Sequence, residues 1–600
     1  MTIYSRVPGV LLVAAALAAA ALGLAGQGLV PVWSVAVVGI SLLLSRWLPR
    51  ALSLSAAIGG FFSLELLLLL VTAQLGLGAT VPNAVLWGAV SAVAGALLVA
   101  KPAPRLGRSG TGLVIASSAS AALLVISVTV AQIFPGALRL SWAMNGDAVN
   151  AMGFARRMLA DGGIDLASTP QPTPLPFAMS AATMEGGRAA LPESMLLEHD
   201  VARTAQVWIF VIALACLLTG AIVARTTRAA SPRWGLPVTA LASTIMLAWY
   251  VIGVQFDFGF MNSAFAVTVL LAAWLAYVAG EGHPAATLGA VFALAIVLLA
   301  VWSPLVVCVA GLGLVTIVRE RALLRSPRLR ELPLVIVPAL AFVAYAALVT
   351  VPGFLAQSSA LGSNGGFPPI GPGSIGVIAA TALLLSAFTA KSGRLREGVG
   401  AVVVIAGFGL GLGYLLLQRQ GAEFGWGYYP AKFAWTTSIL LIVIGTSFAV
   451  ELMLASGSSR RWRAVLTVLA AGVVASVLWG PVAPSAQAPL AGILRGGDGY
   501  QEAAADIVFD LAGPENGKDL LWRSLIGDYW PNTWLLQIDQ PDGDPVKIYS
   551  TQVTLSAEQV CSIVDGLGPE AVIHSADPAA EADLDAVCPD AVYTLIHDGY

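Results

Sequence analysis

Asp147 is the residue in this chain best placed to do chemistry. It lies in Leu140-Ser-Trp-Ala-Met-Asn-Gly-Asp-Ala-Val-Asn150, just beyond an apolar run that ends near Phe134. A carboxylate at the mouth of a membrane span is costly if buried and useful if reactive. Partial desolvation at a water–membrane boundary makes a carboxylate a better base. Such a group can take the proton of an attacking hydroxyl. It can also stabilise positive charge developing at the carbon under attack. The structural alternative is plain: an Asp after Asn-Gly suits the N-cap of a helix beginning at Ala148. The two roles are compatible.

Other candidates follow. The stretch Gln418-Arg-Gln-Gly-Ala-Glu-Phe-Gly-Trp-Gly-Tyr-Tyr-Pro-Ala-Lys-Phe-Ala-Trp435 sets Lys432 at the start of an apolar run, with Arg419 as its one basic neighbour. Trp426, Tyr428, Tyr429 and Trp435 can stack on a sugar or line a lipid groove; the alternative is an interfacial aromatic belt with a snorkelling lysine. Asp257, in Gln255-Phe-Asp-Phe-Gly-Phe260, is a second acid in a short loop. Glu65 lies in mid-span, where the expectation is a structural hydrogen bond to a Ser or Tyr of a neighbouring helix. From Ala148 to Leu159, apolar Val149, Met152, Phe154, Ala155 and Met158 alternate with Asn150, Arg156 and Arg157. Such a helix can lie flat on a membrane surface, and solvation is the default role of its two arginines. A Pro-rich crossing (Pro170, Pro172, Pro174, Pro176) and a short stretch from Pro192 to Val201 follow.

The elements that must position these residues are membrane spans. The chain is 58% hydrophobic and 11% charged, with a mean hydropathy of +0.83. Soluble domains carry about 25% charged residues, so this chain lacks the polar surface to cover itself. About 20 apolar residues cross the hydrocarbon core. On that measure the sequence predicts fifteen spans, at 8–28, 31–47, 52–76, 83–100, 112–134, 204–224, 235–254, 262–280, 285–301, 304–318, 333–351, 373–390, 398–416, 434–455 and 464–480. The first is not read as a cleaved signal, because further spans follow it at once.

Arginine placement orients the set. With the N-terminus in the cytoplasm, 20 of the 31 basic residues fall inside. Merging the runs on either side of Trp302-Ser-Pro304 would invert everything downstream and put the Arg319–Arg330 cluster outside, so two short helices are expected there. The loop 135–203, the loop 418–433 and the tail 481–600 then face outward. The tail holds nineteen of the 34 acidic residues but only four of the 31 basic ones, leaving −15 on the tail and +12 on the rest. It reads as a separate, water-facing unit for which a nucleic-acid partner is not expected. Strands are predicted at Asp519–Ile526, Thr533–Ile538, Val546–Tyr549, Ala571–His574 and Ala591–Ile596. Helices are predicted at Tyr500–Leu511 and Ala557–Leu567, the second opened by Ser556 and Gln559 in capping-box spacing. Cys561 and Cys588 share this tail, where an oxidising exterior allows a disulfide. Cys216 and Cys308 fall in spans and read as small core residues. The tail shows no metal-ligand spacing and no nucleophile motif, and the chain shows no nucleotide-binding loop.

The fold class is therefore a multi-pass α-helical membrane protein with a small C-terminal α/β domain, placed in the plasma membrane with that domain outside. A long outer loop carrying an Asp at its start and built from interfacial helices resembles the GT-C superfamily of membrane glycosyltransferases. The resemblance covers about residues 112–480. It implies that Asp147 is the general base and that the donor is a sugar on a polyprenyl phosphate entering from the bilayer. It also implies an envelope glycan, lipid or protein as acceptor. The donor phosphate would then be held by Lys432, with Arg419, Arg156 and Arg157 as further candidates, and the substrate would be lined by Tyr428, Tyr429, Trp426 and Asp257. A divalent cation near Asp257 is the one cofactor the resemblance leaves open. A soluble outer C-terminal domain is similar in layout to the actinobacterial arabinofuranosyltransferases of cell-wall synthesis. One departure stands out: the Asp loop follows the fifth span here and the first in typical members, so residues 1–111 read as four added helices. The rival class is a transporter or lipid/glycan flippase, which predicts inverted repeats, broken helices and several intramembrane charges; beyond Glu65 the sequence offers little of that. A non-catalytic scaffold for wall synthesis is the third reading.

Overall fold

A computed structural model describes residues 7–104, 108–133, 140–167, 173–227, 232–324, 331–356, 366–367, 370–422, 425–454, 499–512, 518–525, 527–538 and 555–597. Eleven helices in it are long and apolar enough to cross a membrane, or twelve with the pair Gly110–Ser117 and Ala119–Ala131, which is bent by 43°. The fold is that of a multi-pass helical membrane protein.

The count falls short of fifteen for identifiable reasons. Val30–Leu44 is helical but has only 15 residues, too few to span unaided. The run at 464–480 lies outside the described residues. The runs at 285–301 and 304–318 form one apolar stretch, Pro284–Arg319. That stretch is not a single rod. Trp302 takes extended backbone (φ −167°, ψ 93°) before a short turn at Ser303–Leu305. Beyond it, Gly313 comes back against Val291 and Leu288, so the two arms lie antiparallel.

The bundle has two poles. Tyr428–Leu454 is a helix of 27 residues, about 40 Å long at 1.5 Å per residue. Lys432 sits near one end and Glu451 near the other, where Arg394 Nε approaches Glu451 Oε1 at 2.7 Å. At that second pole Arg396 pairs with Glu320 and donates to the Tyr277 carbonyl at 2.8 Å. Arginine and carboxylate thus close one end of the bundle, while the other carries Asp147 and Lys432.

The loop after the first spans departs from its expected form. Ala148–Ala160 is a helix, but its apolar face (Val149, Met152, Ala155, Met158) is buried within the protein. It packs against Pro174–Met184 instead of lying open to lipid. Pro174 and Pro176, expected in a Pro-rich crossing, instead open a wholly buried helix, Pro174–Met184, in whose first turn a missing N–H costs nothing. The stretch from Pro192 merges into the following span, Glu193–Thr226. The first helices brace this loop. Ile164 N donates to Leu69 O at 3.0 Å, Thr80 N to Glu185 Oε2 at 2.7 Å, and Arg203 to the Gly26 carbonyl. Glu65 is fully buried, and its partner is Trp87 Nε1 at 2.6 Å, an indole where a Ser or Tyr was expected.

The tail contains a three-stranded parallel sheet in the order β1 (Asp519–Leu521), β2 (Ala571–Ser575), β3 (Tyr593–His597). Parallel neighbours need crossovers, which explains the helix Ala580–Val587 that the sequence reading lacked. Thr533–Ile538 is not a strand; it belongs to the helix Tyr529–Ile538. Trp530 and Trp534 share one face of that helix at i, i+4 spacing, and burial of Trp534 and Leu535 outweighs the strand preference of aromatic residues. Val546–Tyr549 lies outside the described residues. Ser556 and Gln559 form a reciprocal capping box on Ala557–Leu567, and Cys561 is joined to Cys588 in a disulfide.

The two-pole arrangement is testable. Ser392→Cys and Gln420→Cys flank the helix Leu395–Gln418 and are expected to react with a membrane-impermeant maleimide from opposite faces of sealed vesicles. The native background is low, since Cys216 and Cys308 are buried. Labelling of both variants from one face would contradict the arrangement.

Candidate functional site

The site is built on a turn that two glycines make possible. Gly146 (φ +52°) and Gly259 (φ +67°) both occupy the left-handed region, which residues with a side chain rarely adopt. Their loops press together closely. A Cβ on Gly259 would sit 2.2 Å from Asn145 O and 2.6 Å from Asp147 N. Asp147 N donates to Phe258 O at 2.9 Å, which ties the Asp147 turn to the loop that carries Asp257.

Asp147 occupies the N-cap position of Ala148–Ala160, but its side chain makes no capping hydrogen bond. It turns toward the helix Tyr428–Leu454 instead. Tyr428 Oη donates to Asp147 Oδ2, and Lys432 Nζ donates to Tyr428 Oη at 2.8 Å. Lys432 Nζ lies 3.6 Å from Asp147 Oδ2, with the lysine side chain 4% exposed and the aspartate 40% exposed. The ammonium also sits over the Phe260 ring, 3.8 Å from its centroid. Tyr428 and Lys432 reach this place because i, i+4 residues share a helix face. That face is locked by Trp435 Nε1 donating to Tyr250 O at 2.8 Å and by the Tyr250–Ser438 hydroxyl pair at 2.7 Å.

This arrangement leaves chemical capacity on both sides. An ammonium has three protons to donate; the hydrogen bond described among these residues uses one. The half-exposed carboxylate keeps an oxygen, Oδ1, for a further partner. A buried cation beside a reachable carboxylate can hold an anionic group and accept a proton next to it.

The remaining sequence candidates are distributed more widely. Arg419 is buried and its guanidinium lies against Gly427, one residue before Tyr428. Tyr429 meets Tyr428 edge-on at 4.9 Å. Trp426 Nε1 donates to Ile370 O at 3.1 Å, so its polar edge is engaged by backbone. Asp257 is exposed, and its Oδ2 accepts from Trp249 Nε1 at 3.1 Å. Arg156 Nε pairs with the fully buried Asp200 at 2.8 Å, which also takes Arg188 at 3.2 Å. Arg156 therefore acts as a counter-ion inside the loop. Arg157 is exposed and lies 6.0 Å over the Phe154 ring. Among the described residues, no group of three or more His, Cys, Asp or Glu comes together that could hold a metal ion. The sequence reading missed Phe260, Gly146 and Gly259. The Gly in Phe258-Gly-Phe260 was a visible turn signal, but nothing local said which loop it would press against.

No family model, curated protein or solved structure matches this chain.

Gly259→Ala tests the construction of the turn. Left-handed backbone and the clash with Asn145 and Asp147 together are expected to cost about 2–4 kcal/mol, seen as a lower thermal unfolding midpoint in detergent. Wild-type stability would mean that the two loops are not packed as described.

Proposed function

We propose that the chain is a membrane glycosyltransferase that moves a sugar from a polyprenyl-phosphate donor to a cell-envelope glycan, lipid or protein acceptor, with Asp147 as general base. One observation carries the reading: Asp147 and Lys432, far apart in sequence, meet across Tyr428 at one pole of an apolar bundle. A proton acceptor and a buried cation side by side are what this reaction asks of a protein.

In this reading the acceptor hydroxyl oxygen bonds to the anomeric carbon as the bond from that carbon to the phosphate oxygen breaks. The hydroxyl proton passes to Asp147. The leaving polyprenyl phosphate gains negative charge, which the Lys432 ammonium stabilises in a site with little competing water. Tyr428, bonded to both groups, fixes the spacing of the Asp147–Lys432 ion pair. The half-exposed carboxylate is open to an aqueous acceptor, and the lysine beside it is almost wholly buried. Arg419 stands behind Gly427 as a second cation for the phosphate. The GT-C resemblance of the Asp-bearing loop adds to this reading, and the reaction would run on the outer face of the plasma membrane.

The test is transfer from a radiolabelled polyprenyl-phosphate sugar in reconstituted vesicles. Asp147→Asn is expected to lower the rate by about 10²–10⁴-fold, the usual contribution of a general base. Lys432→Met is expected to weaken both donor binding and turnover, and Tyr428→Phe to cost roughly 10-fold or more for a hydrogen bond to a charged group. Unchanged transfer by Asp147→Asn would sink the assignment. Movement of a labelled lipid across the vesicle that survives Asp147→Asn would favour the flippase reading.

A further inference from the structure

We propose that Trp534 is a positioning residue for Asp147, and that the helix Tyr529–Ile538 is a strut through which the C-terminal sheet holds the Asp147 turn. Asn532 fixes one side of this helix. Its Oδ1 accepts from Leu521 N at 2.8 Å, and its Nδ2 donates to Leu521 O at 2.8 Å. The buried amide thus pairs with both backbone groups at the end of β1, as a neighbouring strand would. Asp528 fixes the entry to the helix by accepting from the backbone of Arg523 at 3.0 Å and of Ser524 at 2.9 Å. Two residues beyond Asn532 the chain has turned to the other side of the helix. There Trp534, 1% exposed, donates its indole N–H to Met144 O at 2.9 Å.

Met144 is the third residue before Asp147. The turn between them is therefore held at both ends, by Trp534 on Met144 and by Phe258 O on Asp147 N. The helix also packs on Ala148–Ala160, the helix that Asp147 opens. An indole has one donor, so replacing it with a phenyl ring keeps most of the packing and removes only the hold on Met144. The turn then gains freedom, and Asp147 loses its fixed place against Tyr428 and Lys432.

The kinetic half of the test rests on the transferase reading; the labelling half does not. The chain has five lysines, Lys101, Lys391, Lys432, Lys518 and Lys547. Brief reaction of the full-length protein in nanodiscs with a water-soluble succinimidyl ester, followed by peptide mass spectrometry, reads each amine separately. Exposed Lys101 serves as reference, and Lys518, beside β1, reports on the sheet. Trp534→Phe is expected to speed labelling of Lys432 about fivefold, the factor for one net hydrogen bond, with Lys518 unchanged. Asn532→Asp, which leaves Trp534 in place, is expected to act in the same direction. In transfer assays kcat falls and the donor KM does not. Lys432 labelling unchanged in Trp534→Phe overturns the proposal. So does a joint rise at Lys432 and Lys518, which would make the tryptophan a folding contact. Wild-type protein without transferase activity would remove the transferase reading and leave the labelling result to stand alone.

Discussion

The structure depends on keeping one ammonium group buried. Lys432 is 4% exposed on a helix whose other buried residues are almost all apolar or hydroxyl-bearing. An ion taken out of water costs several kcal/mol unless partners replace the lost hydration. Here the replacements are a phenol, an aromatic face and a carboxylate, from Tyr428, Phe260 and Asp147. Only Tyr428 is local. The other two come from separate loops, and the left-handed glycines at 146 and 259 let those loops meet. An aromatic face is worth about 2 kcal/mol to a desolvated cation, so the carboxylate carries much of the compensation. Removing Asp147 and removing Lys432 are therefore unequal changes. The first leaves a buried charge unbalanced, whereas the second leaves a half-exposed carboxylate that water can still reach.

Much of this was legible in the sequence, and what was not follows a pattern. Apolar run length located most of the helices, because lipid allows few alternatives. Asp147 and Lys432 stood out as charges in places where charge is costly. Their meeting could not be read, since it is decided by packing between segments hundreds of residues apart. The turn at Trp302-Ser-Pro304 was legible through proline and the arginine count. Pro174–Met184 was misjudged because prolines that usually signal irregular backbone here open a helix. Thr533–Ile538 was misjudged because Thr533, Trp534 and Ile538 favour strands locally, while burial of Trp534 and Leu535 is met by a helix. Arg156 looked like a free cation because its counter-ion, Asp200, lies over forty residues away.

The helices read as an addition at the N-terminus are bound into the same structure. Leu69, Thr80 and Gly26 each hold the loop that follows Asp147 through main-chain groups. Backbone contacts of this kind depend little on side-chain identity, so such a brace leaves almost no trace in a single sequence. The glutamate in mid-span serves the same region. Trp87 holds Glu65 while Trp33 holds Asn83 at 3.0 Å, which links three of the first four helices through polar groups in an apolar setting.

The bond from Trp534 to Met144 joins residues 390 positions apart. Ribosomes add about 5–20 residues per second, so the turn waits roughly 20–80 s for the segment that completes its support. Through that interval the helices can already lie in the bilayer with their charged pole unfinished. The Asp147 turn is thus completed late in biosynthesis, only after the helix Tyr529–Ile538 has been made and has folded against it. A chain stalled or clipped ahead of Tyr529 would keep a membrane protein's body and lack the hold on Met144.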